Sequence, residues 1–353
     1  MFSTDQETAR TISTDHTVKE LIGQALFLGR SRISTISRQF YGETHSSPGT
    51  TAEAVARDAV FSARFMTVAN TIQHGAGIAA TNVEAATMRM GHERTKALAV
   101  TFAIGRALSP IAGHVAGFDR LWYTAMARGA LARALAMHVD PRIAGPAFLT
   151  GALQDVGKIF FAAAEPELFP DMLTRSGGSS MRLALLEWQA FNRNHIHIGL
   201  EVLSGWGLPS YVTEAIGRHH TNPPGAATAD LAVRLWQVGY VVGALPVGSQ
   251  SEIDASPPAV TRLLATSFGV DQGGIQGLLQ QALDEYHDVV ELFRPIIAAR
   301  VSGETLLAPV ATALATGQPR ADRRTRVTTN RMDDDAVDEP QRELHGLFST
   351  HTS

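Results

Sequence analysis

The sequence predicts an all-α protein of two packed helical layers, followed by a disordered C-terminal tail. Three observations carry that prediction. Apolar residues recur at helical spacing in segment after segment, with little of the two-residue alternation of a half-buried strand. Ala, Leu, Arg and Met, all good helix formers, are plentiful in those segments. Start and stop residues for helices fall where the periodic stretches begin and end.

The opening stretch MFSTDQETARTISTD mixes acids and threonines without an apolar core, so residues 1–16 read as a flexible N-terminus and not as a secretory signal. VKELIGQALFLGRSRISTISRQF (18–40) then begins a first helical layer that spans residues 17–115. Thr50, Thr51, Ala52 and Glu53 have the form of a capping box, and the helix they open is expected to run through AEAVARDAVFSARFMTVANT (52–71). Asn82 can cap VEAATMRM (83–90), which Gly91 is expected to end in a left-handed turn. ERTKALAVTFAIGRAL (93–108) completes the layer.

The second layer covers residues 116–245. FDRLWYTAMARGALARALAMHV (118–139) reads as a long helix with Trp122, Met126, Ala130 and Ala134 on one face. Pro141 breaks it, and Pro146 suits the first turn of the next helix, which is expected to carry GALQDVGKIF (151–160). MRLALLEWQAFNRNHIHIGLEVLSGW (181–206) is helical with a break near its histidines. PSYVTEAIGRHH (209–220) follows and is stopped by TNPPG, after which ADLAVRLWQVGYVVGAL (229–245) is a strongly apolar helix. SPPAVTRLLATSFGV and QGLLQQALDEYHDVVELFRPIIAARV form a C-terminal helical pair within 246–302. Residues 303–353 are expected to be a mostly disordered tail. From Gly317 onward they carry Arg323, Arg324 and Arg326, then Asp333, Asp334 and Asp335, with too few apolar residues to offset the entropy of ordering.

Composition narrows the function classes. Hydrophobic residues make up 44% and charged residues 18%, which supports a sizeable core. A net charge of -4 leaves no basic surplus for nucleic acid and no polybasic membrane patch. The chain has no cysteine, so disulfides, thiolate zinc sites and Cys nucleophiles are excluded. That fits a reducing cytoplasm, the expected location. The longest apolar runs, such as ALAVTFAI (97–104), are closed by charge well short of a membrane span. No Gly-rich phosphate loop followed by Lys-Ser/Thr occurs, and no Gly-x-Ser-x-Gly elbow. Ser176-Gly177 and Ser204-Gly205 read as turns. Met88, Met90 and Met126 are expected to fill core gaps, and Trp122, Trp188, Trp206 and Trp236 to pack in the core, with an interaction surface as their second use.

Three polar clusters in the second layer could carry chemistry: Gln154-Asp155 with Lys158, His195 with His197, and His219-His220. Imidazoles plus a carboxylate suit a divalent transition metal, which can generate hydroxide for attack on a phosphoester. The plainer reading stands beside it. His219 and His220 follow a helix whose C-terminal dipole they favourably oppose, and Asp155 can simply pair with Lys158 three residues on. Neighbouring residues on a helix point about 100° apart, so one member of each His pair is expected to face a given site.

The order of the pieces adds a resemblance. FDRLWYTAMARGALARALA, FLTGALQDVGKIFF, HIHIGLEVLSGWGLP and AIGRHH come in sequence, preceded by RDAVFSARFMTVANTIQHG and NVEAATMRMGHERTKALAV. Together they resemble the HD superfamily of metal-dependent phosphohydrolases, and more closely its HD-related output domain branch, usually called HDOD. The resemblance covers most of the chain and implies an HDOD-like module at 17–302. A helix His that follows a Trp in the family is matched by Thr124, and the His-Asp doublet by Gln154-Asp155. The later single His falls on His195, the His-His pair on His219-His220, and the closing Asp near Gly239. Thr and Gln bind such ions weakly and Gly brings no side chain, so a metal has at most a weak site at Asp155, His195 and His219. The Gly-Tyr-Pro signature expected after the His pair in cyclic-dinucleotide phosphodiesterases is replaced by TNPPGAATAD.

The resemblance therefore implies a catalytically inactive regulatory module of bacterial signal transduction, acting by protein–protein contact and needing no cofactor. Its partners are expected to be signalling proteins and not nucleic acid or membrane; Trp-bearing helical surfaces would suit a homo-oligomer. Asp155, Lys158, His195, His219 and His220 form the candidate ligand pocket. Two rival readings keep that pocket in use. One is residual metal-dependent hydrolysis of a nucleotide or cyclic dinucleotide. The other is a sensor in which Lys158 and nearby His side chains hold a phosphate-bearing messenger.

Overall fold

The periodic segments fold as helices, and no strand occurs among the described residues. The computed structural model describes residues 4–42, 46–71, 79–113, 115, 117–225, 228–248, 257–271, 273–296 and 301–316. The first layer holds α1 (Thr4–Tyr41), α2 (Pro48–Ala56), α3 (Ala59–Thr71), α4 (Val83–Met90) and α5 (His92–Ala112). The second holds α6 (Phe118–Val139), a single 3-10 turn (Pro141–Ile143), α7 (Ala144–Leu153), α8 (Lys158–Ala164) and α9 (Leu168–Arg175). It continues through α10 (Ser180–Phe191), α11 (His195–Gly205), α12 (Ser210–Gly217) and α13 (Leu231–Ala244). The chain then forms α14 (Pro257–Phe268), α15 (Ile275–Phe293) and α16 (Gly303–Thr316).

Several boundaries differ from those read in the sequence. Helix α1 begins at Thr4, inside the stretch expected to be flexible. The helix expected to run unbroken from Ala52 to Thr71 is two helices, because Asp58 acts as a cap within it. Its Oδ1 accepts from the backbone N–H of Val60 and of Phe61, both at 3.0 Å. The capping box is real but lies earlier: Ser47 Oγ accepts from Thr50 N, and Thr50 Oγ1 accepts from Ser47 N at 2.9 Å. Gly91 does end α4 at positive φ, but with ψ of 136°, which turns the chain directly into α5 instead of continuing a left-handed turn. The expected tail also starts too early at 303. Residues 303–316 form α16, which buries Leu306, Val310 and Leu314 against its neighbours. The polar stretch from Gly317 lies outside the described residues.

Helix α6 is the axis of the second layer and packs on α7, α13, α14, α15 and α16. Trp122, Met126, Ala130 and Ala134 are all buried, as their shared face requires. Helix α1 ties the layers together by lying against α5 of the first and against α8, α10 and α11 of the second. Trp206 is fully buried in that seam, with its indole N–H on the Ala25 carbonyl at 3.2 Å. Aromatic rings continue the core across the layers: Phe61 on Phe102, Phe102 on Phe293, and Phe293 on Trp122, with centroids 4.8, 5.6 and 6.1 Å apart. Below them Arg94 of α5 is buried against Glu285 and Asp288 of α15, and Arg133 of α6 meets the second oxygen of Glu285.

Met90 and Met126 fill core space, whereas Met88 is 68% exposed. Trp122 and Trp206 are buried, and Trp188 and Trp236 are half-buried. No described helix is long and apolar enough to cross a membrane.

Candidate functional site

The stretch GALQDVGKIF does not form one helix. Helix α7 ends at Leu153, residues 154–157 make a turn, and α8 starts at Lys158. The start of α11 packs onto that turn so closely that a Cβ on Gly157 would lie 1.9 Å from the His195 carbonyl oxygen. Glycine is therefore required here by space, and the doublet Gln154-Asp155 is carried on a turn opposite His195. Helix α11 itself starts after Asn192 at φ of 54°, with Asn194 Oδ1 accepting from the N–H groups of Ile196 and His197.

His219 and His220 lie past the end of α12, in a turn. Because they are not helical, the 100° argument does not apply, and both rings enter the same cluster with centroids 3.9 Å apart. His195 joins them at 5.9 and 5.6 Å, and the three residues offer one ring nitrogen each within 4.8 Å of one another. His197 does not join. Its Nδ1 meets Asn194 Oδ1 at 2.6 Å and its ring lies against Trp188.

Hydrogen bonds fix which nitrogen faces inward. Glu187, fully buried, accepts from His195 N at 2.7 Å and from His195 Nδ1 at 2.6 Å. His219 Nδ1 donates to the Ile216 carbonyl at 2.6 Å. A carboxylate and a carbonyl only accept, so both rings carry hydrogen on Nδ1 and present a lone pair at Nε2. The Nε2 atoms of His195, His219 and His220 are buried without a hydrogen-bond partner, and so are both amide atoms of Gln154. Burial lowers the proton affinity of all three imidazoles, and the nearby cations Lys158 and Arg128 lower it further. They are neutral at neutral pH.

Asp155 stands between these rings and a pair of cations. Its Oδ1 is 2.8 Å from Lys158 Nζ, its Oδ2 is in close contact with Arg128, and Ser180 Oγ lies between Lys158 and Asp155. On the other side Oδ1 is 3.4 Å from His195 Nε2 and 3.8 Å from His219 Nε2. The five candidate pocket residues thus come together. Of the positions expected to have lost a ligand, Gln154 touches the cluster. Thr124 lines a neighbouring cavity with Arg128, Asp155 and Lys158, which none of the three His lines. A Cβ on Gly239 would pack on Thr150 and the His219 Cβ. One on Gly243, a turn later, would lie 3.2 Å from His219 Cδ2 and 3.3 Å from Gln154 Nε2. Both glycines of α13 thus border His219, and Gly243 borders Gln154 as well.

Sequence reading missed Arg128, Ser180, Glu187 and Gly243. Arg128 had a signal: it lies four residues after Thr124, hence on the same helix face. Glu187 had none, because it lies on α10, eight residues before His195 and across the turn that opens α11.

The donor set can be tested against a metal. Three convergent imidazoles with bare Nε2 atoms, two of them oriented by a carboxylate or carbonyl at Nδ1, suit a single divalent ion of the zinc type. They do not suit a two-metal centre, since the one carboxylate at hand already satisfies Arg128 and Lys158.

Among known proteins, residues 33–222 match the family model of the HDOD domain. No curated protein matches the chain. A protein of Marinobacter aquaeolei VT8 assigned to signal transduction aligns over 80% of this chain at 19% identity and a TM-score of 0.60, and the chain spans 66% of that protein's length. An HDOD domain protein of unknown function from Geobacter sulfurreducens aligns over 77% of this chain and 99% of its own, with 15% identity and a TM-score of 0.55. A protein of Shewanella amazonensis SB2B assigned as a phosphohydrolase aligns over 76% and 97%, with 17% identity and a TM-score of 0.52. At these identities the likeness is one of fold.

Proposed function

This chain belongs to the HDOD domain family, whose model its residues 33–222 match, and on that premise we propose that it is a catalytically inactive regulatory module of signal transduction that acts by binding partner proteins. The observation that carries this reading is the state of Asp155. A metal-hydroxide catalyst needs ligands that hold an ion and leave one position open. Here the site's carboxylate is engaged on both oxygens by Arg128 and Lys158, and Gln154 and Gly243 bring no further anionic ligand. The signal-transduction assignment of the Marinobacter protein of similar fold points the same way.

The test is metal analysis of the purified chain together with turnover of a panel of nucleotides and cyclic dinucleotides. The expected result is no turnover, and none after Gln154→His alone, because that change frees neither oxygen of Asp155. Turnover that disappears in Asp155→Asn would sink the proposal.

One observation favours a second reading, metal-dependent phosphoester hydrolysis. The bare Nε2 atoms of His195, His219 and His220 would hold a divalent ion, which when bound supplies Lewis acidity and an activated water. In that reading Glu187 and the Ile216 carbonyl orient the rings. Arg128 and Lys158 would bind the anionic substrate, the role that the first reading gives to Asp155's own carboxylate.

A further inference from the structure

Helix α1 packs with one face on α5, α8, α10 and α11 and buries Ile22, Ala25, Ile33 and Phe40 there. The opposite face is open to solvent, and its composition is unusual. The outer stripe of a surface helix ordinarily carries charged residues. Here the middle of that stripe, between Glu20 and Arg38, holds Gly23, Gln24, Phe27, Ser31 and Ser34, with no charge among them. Arg30 and Arg32 lie on its two flanks. Phe27 is 83% exposed, and Leu28 beside it is 42% exposed. Two neighbouring large apolar residues on an otherwise small and neutral stripe form a patch, not scattered exposure.

The ends of the stripe do carry charge, and of opposite sign. Glu20 and Arg38 are both exposed and stand eighteen residues apart. That is five whole turns, so they share one line about 27 Å long, with Phe27 and Ser31 close to it. Among the described residues Glu20 pairs only with the exposed His16, at 3.6 Å, a contact worth little. Arg38 has no ion pair among the described residues. A line that runs acid, apolar, base is complementary to a copy of itself turned end for end. A twofold axis at the level of Gly29 sets Glu20 of each copy opposite Arg38 of the other, and Phe27 opposite the small Ser31. The same operation brings like flank to like flank. On one flank Leu28 of each copy lies beside Leu28 of the other, next to a groove of about 230 Å³ that Ser31, Arg32 and Thr35 form with Phe61 and Phe102. On the other flank the exposed Arg30 stays in solvent.

We propose that this face is the contact between two copies of the chain, paired antiparallel through α1. Charge complementarity selects a second copy over an unrelated helix, because the same two residues satisfy each other twice about one axis. One pair of helices in contact over about 27 Å is a small interface beside those of obligate dimers, so the pairing follows protein concentration. The inference stands apart from the regulatory reading. Turnover would sink that reading and leave the dimer standing, and a monomer would do the reverse.

The experiment is sedimentation velocity on the full chain over a concentration series that reaches the high micromolar range. All the variants used change exposed residues, and their urea midpoints should stay near that of the parent. The expected result is a reversible monomer–dimer equilibrium. Phe27→Glu should raise its dissociation constant at least about tenfold, the equivalent of about 1.4 kcal/mol. Glu20→Arg and Arg38→Glu should each weaken the dimer, since each sets like charges opposite one another twice. An equimolar mixture of those two variants restores opposite charge at both ends, and should recover the parent's affinity. The chain has no cysteine, so Leu28→Cys gives a second reading. A short bis-maleimide should crosslink it into dimers, and should not crosslink Met88→Cys, which is 68% exposed on α4. A chain that stays monomeric at every concentration, its α1 face free for some other protein, would overturn the proposal. So would a dimer that Phe27→Glu leaves unchanged, or a mixture that recovers nothing.

Discussion

Gly157→Ala isolates the contact that builds the site. Gly157 has φ of -62° and ψ of -24°, ordinary helical values that alanine adopts freely, so no backbone strain enters. Only space forbids the methyl group: it would lie 1.9 Å from the His195 carbonyl oxygen and 2.7 and 2.9 Å from that residue's C and Cα. All three are backbone atoms, so no side chain can swing aside. To reach even 3.0 Å the start of α11 must retreat by 3.0 - 1.9 = 1.1 Å. His195 would then draw away from Glu187, to which its N and Nδ1 are bonded at 2.7 and 2.6 Å. Overpacking of this kind costs about 1–3 kcal/mol, and a weakened bond to a charged group about 1.5–3. Alanine's lower unfolded-state entropy returns about 0.5–1. A net loss of about 2–5 kcal/mol follows, read as a lower urea midpoint at unchanged m-value. Gly277→Ala is the control. It lies inside α15 with nothing within 4 Å of its would-be Cβ, and should gain about 0.5–1 kcal/mol. If Gly277→Ala gains as expected while Gly157→Ala stays within 1 kcal/mol of the parent, the turn does not clamp α11 and the reasoning fails.

Three further outcomes test other parts of the structure. Arg94→Met strips Glu285 and Asp288 of a buried partner, and should cost about 3 kcal/mol or more in urea unfolding; a smaller loss than that of Arg133→Met would contradict the network as described. Glu187→Gln removes the charged acceptor of His195 Nδ1, and should cost about 2 kcal/mol and shift the His195 Nδ1–H resonance upfield in proton NMR. Stability should also fall with acid. Burial lowers the folded-state affinity of His195, His219 and His220 for protons below the ordinary 6.5, so below that pH the unfolded chain binds more protons than the folded one. Stability is then full above about pH 6.5 and is lost as pH falls below it, by up to about 1.4 kcal/mol per unit for each ring. Urea midpoints that do not change between pH 7.5 and 5.5 would refute the buried neutral state of the cluster.

The fold was legible in the sequence wherever one signal dominated. The face of α6 through Trp122, Met126, Ala130 and Ala134 is read from spacing alone, and the break expected near the histidines falls where Asn192 turns the chain and Asn194 caps α11. Errors arose where a local polar residue overrode apolar periodicity, as Asp58 does between α2 and α3. They arose also where long-range packing decided the backbone. The turn at Gln154–Gly157 exists because α11 needs room there, and α11 begins more than thirty residues later. For the same reason His219 and His220 share one cluster: periodicity continues α12 through them, while the structure ends it at Gly217.

The candidate site turns on one arrangement that no single segment encodes. Asp155 Oδ1 and the Nε2 atoms of His195 and His219 are all acceptors, yet they face one another at 3.4 and 3.8 Å. Acceptors so placed repel unless something positive or hydrogen-bearing stands among them. Arg128 and Lys158 supply that charge from the cavity side, and in doing so they lower the proton affinity of all three rings. Burial disfavours a proton on the imidazoles more than these charges do, and at His195 the Glu187 carboxylate opposes the two cations. Fixed cations hold the carboxylate where a catalytic centre would need a mobile one.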